Sequence, residues 1–472
     1  MPKSQPPLLP PHDRRRFLAS LGAATTAAAW PCHGIAADAT SKSGSLSIGH
    51  AVVDTTPPLG IELAGFHKPV GQERRITGIR QKTAARALVL RVADQSVAIV
   101  SLDILSVSPG FTQQVQQRVA KQTGIPAANV RVCATHTHSM PAFSYLRQWG
   151  AIPEDYLKET LGHVVDAVVQ AHRDLSAAEL YVGKSSVDGG NFNRTSPTWK
   201  TDQEFTADAT AADRWLDTIL HVLRFERANK PDVMWYHFAC HPVCYRDGEA
   251  GPDWLGLVAD QVQAKHGVTP GFLQGHAGDV NPGNGDIWIG EAEPTAAAIV
   301  QGIDRALDAS ERVDANELRL VSEPFALPLN IDLLQQQLEL YREHPEQCAS
   351  GQWVDAGFAK AWYESAKDWD LQRTTHATPT TALRLGDLGI LFHSSELYSY
   401  YGLQIQRDSP LENTIVVGYT DDLIGYLVDP RAYEAGEYAA VTVPRILDLP
   451  PFKTAAASQL ADFANQLLTR TT

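Results

Sequence analysis

Two histidines separated by one residue form the first cluster in this sequence that is able to do chemistry. His136 and His138 lie within residues 135–139, directly after the apolar segment 130–134. In an extended backbone, residues two apart point to the same side, so both imidazoles are predicted to face one site. Such a pair is typical of a metal centre or of an acid–base site, and the spacing alone leaves both open.

A third histidine, His241, ends the apolar segment 233–240 and precedes Pro242. Proline favours extended backbone in the residue before it, which fixes the direction of the His241 imidazole. His237 lies four residues earlier on the same face, and we interpret it as structural. A lone histidine after a strand is more often structural than a ligand, so His241 indicates a site only together with the other clusters.

Acidic and phenolic side chains follow two later apolar segments. Glu396 comes shortly after the segment 389–393, where a carboxylate without a partner would be desolvated. The last cluster follows the segment 414–418 and comprises Asp421, Asp422, Tyr426, Tyr433 and Tyr438. Open α/β sheets place their ligands at the ends of strands. Imidazole and carboxylate are zinc ligands, and three or four candidates at adjacent strand ends predict a metal site.

A glycine-rich loop, residues 275–282, lies between the second and third clusters. Its glycines allow backbone N–H groups to approach a substrate closely, and a tight turn is the alternative explanation. The loop lacks the Lys-Ser/Thr ending of a phosphate-binding loop, which excludes that function.

The elements that would position these clusters alternate between strand-like and helix-like segments from about residue 45 onward. Strands are predicted at 87–92, 96–105, 130–134, 219–225, 233–239, 271–274, 383–385, 389–393 and 414–418. Helices are predicted from 111 to a stop at Gly124, and at 156–171, 292–308, 331–342, 356–368 and 455–468. This order predicts an α/β domain of layered sheet and helices. The helices between 331 and 370 are either a lid or a plain helical excursion, and we favour the excursion.

Composition limits the partners of the chain. It has 472 residues and a formal net charge of -14, which excludes binding to nucleic acid by bulk electrostatics. After the N-terminal segment, no apolar run approaches the roughly 20 residues that span a bilayer. Transient contact with a membrane surface is left open, and the oligomeric state is unknown.

The N-terminus is predicted to be a targeting segment. Arg14, Arg15 and Arg16 precede Phe17 and Leu18, and an alanine-rich stretch follows. This order is typical of a twin-arginine signal peptide, predicted over residues 1–37, with a disordered basic arm as the alternative. The mature protein is then expected to be periplasmic or secreted. Such compartments permit disulfides, but the sequence does not predict a pairing among its cysteines.

These motifs, taken in order, resemble the neutral/alkaline ceramidase family from about residue 46 to the C-terminus. The matching positions are Ala51-Val52-Val53-Asp54-Thr55-Thr56-Pro57-Pro58, Gly65-Phe66, Gly78-Ile79, Ala85-Arg86-Ala87, residues 136–139, Asn193-Arg194, His241-Pro242, Gly278-Asp279-Val280, Glu396, Tyr426 and Tyr438. The resemblance implies a hydrolase domain over residues 45–472.

The resemblance also implies roles for individual residues. Zinc, as Zn²⁺, would be held by His136, His241, Glu396 and Tyr426. His138, Arg194 and Tyr438 would surround the scissile carbonyl. Zinc lowers the pKa of its bound water towards about 7, which supplies the attacking hydroxide. His138 would carry the proton to the leaving nitrogen, and Arg194 and Tyr438 would donate to the oxyanion.

Two features depart from the family pattern. Asn281 stands where the family motif has serine, so it cannot be a nucleophile and is expected to position water or substrate. The sequence also ends soon after the catalytic region, without the family's C-terminal immunoglobulin-like domain. The expected function is that of an exported zinc-dependent hydrolase of an N-acyl amide bond, in a lipid or a small molecule. A zinc esterase or other hydrolase of polar substrates, and a non-catalytic binding homologue, are the alternatives.

Overall fold

The computed structural model of the chain describes residues 43–283 and 289–472. The predicted signal peptide, residues 1–37, lies outside the described residues and stays a prediction. The strands, in chain order, are β1 (Leu46–Asp54), β2 (Gly78–Ile79), β3 (Ala84–Val92), β4 (Gln95–Leu102), β5 (Val130–Ala134), β6 (Ser176–Ser186), β7 (Asn191–Asn193), β8 (Lys200–Thr201), β9 (Trp215–Leu216), β10 (Ile219–Arg227), β11 (Val233–Phe238), β12 (Glu249–Ala250), β13 (Gly271–Gln274), β14 (Val280–Pro282), β15 (Glu311–Val313), β16 (Leu318–Pro328), β17 (Thr375–Leu385), β18 (Leu388–His393), β19 (Glu396–Leu397), β20 (Asn413–Val417) and β21 (Tyr426–Leu427).

The α-helices connect these strands and cover their outer faces. They are α1 (Pro109–Thr123), α2 (Glu154–Arg173), α3 (Trp254–His266), α4 (Ala292–Asp308), α5 (Ile331–Glu343), α6 (Ala356–Ala366), α7 (Ser399–Asp408), α8 (Pro430–Glu434), α9 (Tyr438–Val441), α10 (Val443–Ile446) and α11 (Ala456–Thr469). In the part of the chain that is described, none of the helices has the length and apolar character needed to cross a bilayer.

A nine-stranded sheet runs in the order β13-β11-β10-β6-β1-β3-β4-β5, and β15 also pairs with β6. Its two halves are joined only weakly, because β1 and β6 share just the pairs Ser47↔Ala177 and Ile48↔Ser176. The sheet curls so that its outermost strands both contact the segment 418–420. Ala134 of β5 donates to the carbonyl of Tyr419, and Gly418 donates to the carbonyl of Gln274 at the end of β13, each at 3.0 Å.

Alternating side chains explain the layers. In β3, Ala87 and Val89 pack towards α1 and α2, whereas Leu88 and Leu90 point into the opposite core. A second sheet, in the order β16-β17-β18-β20, closes that inner core with residues such as Leu383. Helix α11 covers the other face of this sheet, and α3 and α4 cover the half of the long sheet that contains β10 and β11. The predicted layered α/β fold is confirmed.

Strands with mixed polar and apolar residues were not predicted. β6 and β16 are absent from the prediction, and β17 begins at Thr375 rather than 383. β16 and β17 pair along their whole length and include Pro324 opposite Pro379. The end of β17 alternates Leu383, Arg384 and Leu385, whereas its first residues are mostly polar, so sequence periodicity recognised that end alone. The six predicted helices, by contrast, lie close to their predicted ranges, and in α1 an apolar stripe and a Gly124 stop at φ 78° define the element. The helices α3 and α7 were not predicted.

The helices α5 and α6 have a small core of their own, formed by residues such as Leu334, Trp353 and Trp362. This excursion is attached to α10 by Arg445, whose guanidinium lies 3.5 Å from the centre of the Trp353 ring. Arg445 also donates to the carbonyl of Gln352 at 2.7 Å. The excursion therefore packs against the segment that contains α9 and α10.

Two histidines outside the candidate ligand set, His50 and His237, have pKa values below the usual range. Burial lowers the pKa of His50 to about 4, and the charges of Arg227 and Arg86 add to the shift against the opposing effect of Asp174. Burial likewise lowers the pKa of His237 to about 4. In an unfolded chain the pKa of histidine is about 6.5, so the unfolded state binds more protons between these two values.

We expect the free energy of unfolding to fall as the pH is lowered from about 6.5 towards 4, by up to about 1.4 kcal/mol per pH unit for each such histidine. Urea unfolding across this window measures the slope. His50→Gln should flatten the slope, whereas His344→Gln, at an exposed position, should not change it. Equal slopes for His50→Gln and the unchanged protein would contradict the prediction.

Candidate metal centre

His136 lies in the loop that follows β5, in an unusual backbone conformation. Its φ is 63°, in the left-handed region that few residues other than glycine adopt, and its N–H donates to the carbonyl of Ile104. His138 donates its N–H to the carbonyl of Pro242. The two imidazole rings converge, with centroids 5.0 Å apart. The predicted convergence of the two rings is therefore present. The prediction of an extended backbone is wrong, because the chain at His136 has a left-handed conformation.

Two backbone carbonyls fix the orientation of the imidazoles of His136 and His241. Nδ1 of His136 lies 2.9 Å from the carbonyl oxygen of Leu105, and Nδ1 of His241 lies 3.0 Å from that of Val280. A proton on each Nδ1 satisfies these contacts and leaves each Nε2 as an acceptor. This is the arrangement by which metal-ligating histidines are held.

Glu396 lies between these two Nε2 atoms. Its Oε2 is 3.4 Å from Nε2 of His136 and 3.2 Å from Nε2 of His241. Burial by itself would raise the pKa of Glu396, and His136 and His241 would hold this pKa well below its usual range only in their protonated forms. Two lone pairs and a carboxylate directed at one point, away from solvent, form an electrostatic environment suited to a cation.

A short parallel strand pair brings Tyr426 beside Glu396. β19 and β21 pair in the register Glu396↔Tyr426. Gly278 packs directly against this pair, since a Cβ at position 278 would lie 2.5 Å from the carbonyl oxygen of Glu396. The absence of a side chain at Gly278 therefore lets the loop pack against the backbone of Glu396. The sequence had predicted instead that the glycines let the loop backbone approach a substrate.

The donor set fits a divalent metal ion. His136, His138 and His241 are all buried, and their candidate ligand atoms lie within 4.8 Å of one another. The separations of 3.2–3.4 Å between Glu396 and two of these histidines match the edge, about 3.3 Å, of a tetrahedron with metal–nitrogen bonds of about 2.0–2.1 Å. The predicted ligands His136, His241, Glu396 and Tyr426 all lie at this point, and their individual roles stay predictions.

His138 differs from the other two histidines in its surroundings. Its Nδ1 is buried and has no hydrogen-bond partner among the described residues. Its ring packs edge-on against Phe66, with centroids 5.4 Å apart. Gly65, at φ 94°, approaches so closely that a Cβ there would lie 2.7 Å from the Cβ of His138. Burial is the main cause that holds the pKa of His138 well below its usual range, and the nearby His136 and His241 add to it. The ring therefore takes up a proton only when a new negative charge or a hydrogen-bond acceptor lies near it.

Arg194 connects the metal-ligand cluster with the glycine-rich loop. β7 and β14 pair in the register Asn281↔Phe192, which places Arg194 next to residue 281. One guanidinium nitrogen donates to Oδ1 of Asn281 at 3.2 Å. The other donates to the carbonyl of Gly278 at 2.7 Å and to the hydroxyl of Tyr426 at 2.8 Å. Asn281 thus accepts a hydrogen bond from Arg194 and helps to orient its guanidinium group at the site.

The last predicted cluster divides into residues at the site and residues away from it. Tyr438 begins α9 and lines the same cavity as His136 and Glu396, with its ring 6.5 Å from that of Tyr426. Asp421 is instead paired with the guanidinium of Arg131 and accepts from the N–H of Val132. Asp421, Asp422 and Tyr433 do not line the cavity. The structural interpretation of His237 agrees with its contact at 2.9 Å with the carbonyl of Val416.

Sequence reasoning missed the apolar and aromatic surroundings of the centre. The ring of Tyr419 packs against His136 with centroids 4.2 Å apart. A cavity of about 30 Å³ adjoins the centre and is lined by Leu105, His136, His138, Leu146, Trp149, Glu396, Leu423, Tyr426, Tyr438, Val443, Ile446 and Leu447. The apolar members resemble ordinary core residues, and no polar signal in the sequence distinguishes them.

Comparison with protein families gives one match that covers about half of the chain. The model of the family described as "Neutral/alkaline non-lysosomal ceramidase, N-terminal" matches residues 46–285. That range includes His136, His138, Arg194, His241 and Asn281. The remaining site residues, Glu396, Tyr426 and Tyr438, lie beyond it.

Similar proteins include the neutral ceramidase of Mycobacterium tuberculosis (strain ATCC 25618 / H37Rv), 24% identical over 50% of this chain and 40% of that protein. Neutral ceramidase B of Dictyostelium discoideum is 26% identical over 51% of this chain and 36% of its own length. The matched part of the chain thus spans well under half the length of these relatives. The crystal structure of neutral ceramidase from Pseudomonas aeruginosa has the same fold, with a TM-score of 0.67 at 18% identity, over 91% of this chain and 75% of that one.

If the centre holds a metal ion, removing either oriented histidine should abolish tight binding. We expect His136→Ala and His241→Ala to weaken Zn²⁺ binding by more than the roughly 10–100-fold that loss of a second-shell partner causes. Titration of chelator-stripped protein, followed by metal analysis after dialysis, measures this. His344→Ala, at an exposed position, is the control. Unchanged Zn²⁺ affinity in both folded variants would exclude this metal centre.

Proposed function

The chain belongs to the neutral/alkaline non-lysosomal ceramidase family, and on this premise we propose that it is a metal-dependent hydrolase that cleaves an N-acyl amide bond. The buried group of His136, His241 and Glu396, which faces a cavity shared with His138 and Tyr438, carries this proposal. The curated relatives are named as neutral ceramidases, so ceramide, an N-acyl sphingoid base, is the first substrate to test.

His136, His241, Glu396 and Tyr426 are the residues that would hold the metal, and zinc is the ion that this set suits. When bound, such an ion activates water and polarises a carbonyl group. The backbone carbonyls of Leu105 and Val280 keep two imidazoles in the tautomer that ligation requires.

The residues around the cavity supply the remaining chemistry. Nδ1 of His138 has no hydrogen-bond partner in the described part of the chain, so its ring is available to take a proton and to deliver it to the leaving nitrogen. Arg194 and Tyr438 are donors for the negative charge that develops on the carbonyl oxygen. Asn281 keeps the guanidinium of Arg194 in place, a role that needs no hydroxyl. Replacement of the family's serine by Asn281 is therefore compatible with amide hydrolysis.

The substrate assignment is tested by hydrolysis of a labelled N-acylsphingosine. The zinc-loaded protein without residues 1–37 should release fatty acid, and chelator-stripped protein should not until Zn²⁺ is restored. No release by folded, zinc-bound protein would exclude ceramide. Activity on simple esters or small polar amides would then favour the esterase alternative, and zinc binding with no acyl hydrolysis would favour a binding homologue.

The separate roles of the histidines give a second test. His138→Ala should lower kcat by about 10²–10⁴-fold, because it removes a proton carrier, while zinc content stays close to that of the unchanged protein. His136→Ala should lose both the activity and the bound zinc. Kinetics and metal analysis on the same samples distinguish a proton carrier from a metal ligand. A His138→Ala protein that loses its metal would identify His138 as a ligand instead.

A further inference from the structure

The cavity beside the metal-ligand cluster is small for a lipid hydrolase. Its volume of about 30 Å³ has room for about two water molecules, at roughly 10–15 Å³ each, and pockets for drug-sized ligands occupy about 300–1,000 Å³. The metal-ligand cluster and Tyr438 form its polar side. Its apolar side is formed by Leu105, Leu146, Trp149, Leu423, Val443, Ile446 and Leu447.

Two segments supply much of the apolar side, and direct bonds tie them together. One contains Leu146 and Trp149, and the other runs from 443 to 447. The N–H of Arg147 donates to the carbonyl of Ile446 at 2.8 Å. The guanidinium of Arg147 forms an ion pair with Asp448, and both side chains are more than nine-tenths buried. We call this contact between the two walls the Arg147–Asp448 clamp.

The clamp is itself supported by the helical excursion of α5 and α6. Oγ of Ser365, in α6, lies 2.7 Å from Arg147 and 2.8 Å from Asp448. Arg445, next to the cavity residue Ile446, is enclosed by the rings of Trp353 and Trp362 at 3.5 and 5.7 Å. Moving the second wall outward would break a buried ion pair and this packing together, so the wall resists expansion.

We propose that the clamped cavity receives the acyl side of the substrate and restricts it to short chains. The inference rests on the proposed amidase function. An acyl chain is pure hydrocarbon and suits apolar walls, whereas the amine side of a sphingoid base carries hydroxyl groups. In a fixed cavity, each methylene beyond the available space must force the walls apart, which disfavours longer chains.

A series of N-acylsphingosines from acetyl to octanoyl tests this selectivity on the unchanged, zinc-loaded protein. We expect kcat/KM to be highest for acetyl or propionyl and to fall about tenfold or more for octanoyl. Highest kcat/KM for octanoyl would overturn the inference and leave the proposed amidase function intact. No hydrolysis at any chain length would instead overturn the proposed function.

Two variants test the cause of the selectivity. Leu146→Ala, which enlarges the cavity, and Asp448→Asn, which weakens the clamp, should each raise the octanoyl-to-acetyl ratio of kcat/KM about tenfold. Leu255→Ala is the matched control: Leu255 is a buried leucine in α3 that does not line the cavity, and its loss should leave the ratio unchanged. Equal ratios in the unchanged protein and in both folded variants would overturn the role of these walls. If neither variant folds, the chain-length series on the unchanged protein decides whether the cavity selects short acyl chains.

Discussion

The carboxylate of Glu396, buried between two imidazole nitrogens, is the interaction on which the rest of the site depends. Burial penalises a charge that is not compensated, and the neutral imidazoles present lone pairs rather than protons to it. A cation resolves this conflict, and the surrounding structure serves to hold its ligands in place. The carbonyls of Leu105 and Val280 orient the rings, Arg194 contacts Tyr426, and Gly278 lets the Glu396 strand approach.

The curled sheet is what brings these ligands to one point. β5 and β11, which precede His136 and His241, are separated by five strands in the order of the long sheet. They come together because both edges of the sheet, β5 and the β11 neighbour β13, reach the segment 418–420. Glu396 and Tyr426 follow strands of the second sheet. The centre therefore lies where strand ends from two different sheets meet.

Much of this arrangement was predictable from local patterns, and the rest was not, for physical reasons. Apolar periodicity predicted six of the helices, but not α3 or α7, and several of the buried strands. Polar residues after those strands pointed to His136, His241 and Glu396 as candidates. The turn at His136, with φ 63°, depends on tertiary contacts that no local pattern contains. Asp421 had the right residue type and position, but Arg131, far away in sequence, neutralises it. Cavity walls such as Leu146 are indistinguishable from core residues until the fold is known.

The division of the ligands between two sheets has a consequence for the order of assembly. His136 and His241 lie in the first two-thirds of the chain, but Glu396 and Tyr426 belong to strands formed near its end. A chain emerging from the ribosome therefore has no complete coordination sphere until its last quarter has joined the earlier sheet. With the proposed metal, capture would follow chain completion, and the ion would then join the two sheets at their junction.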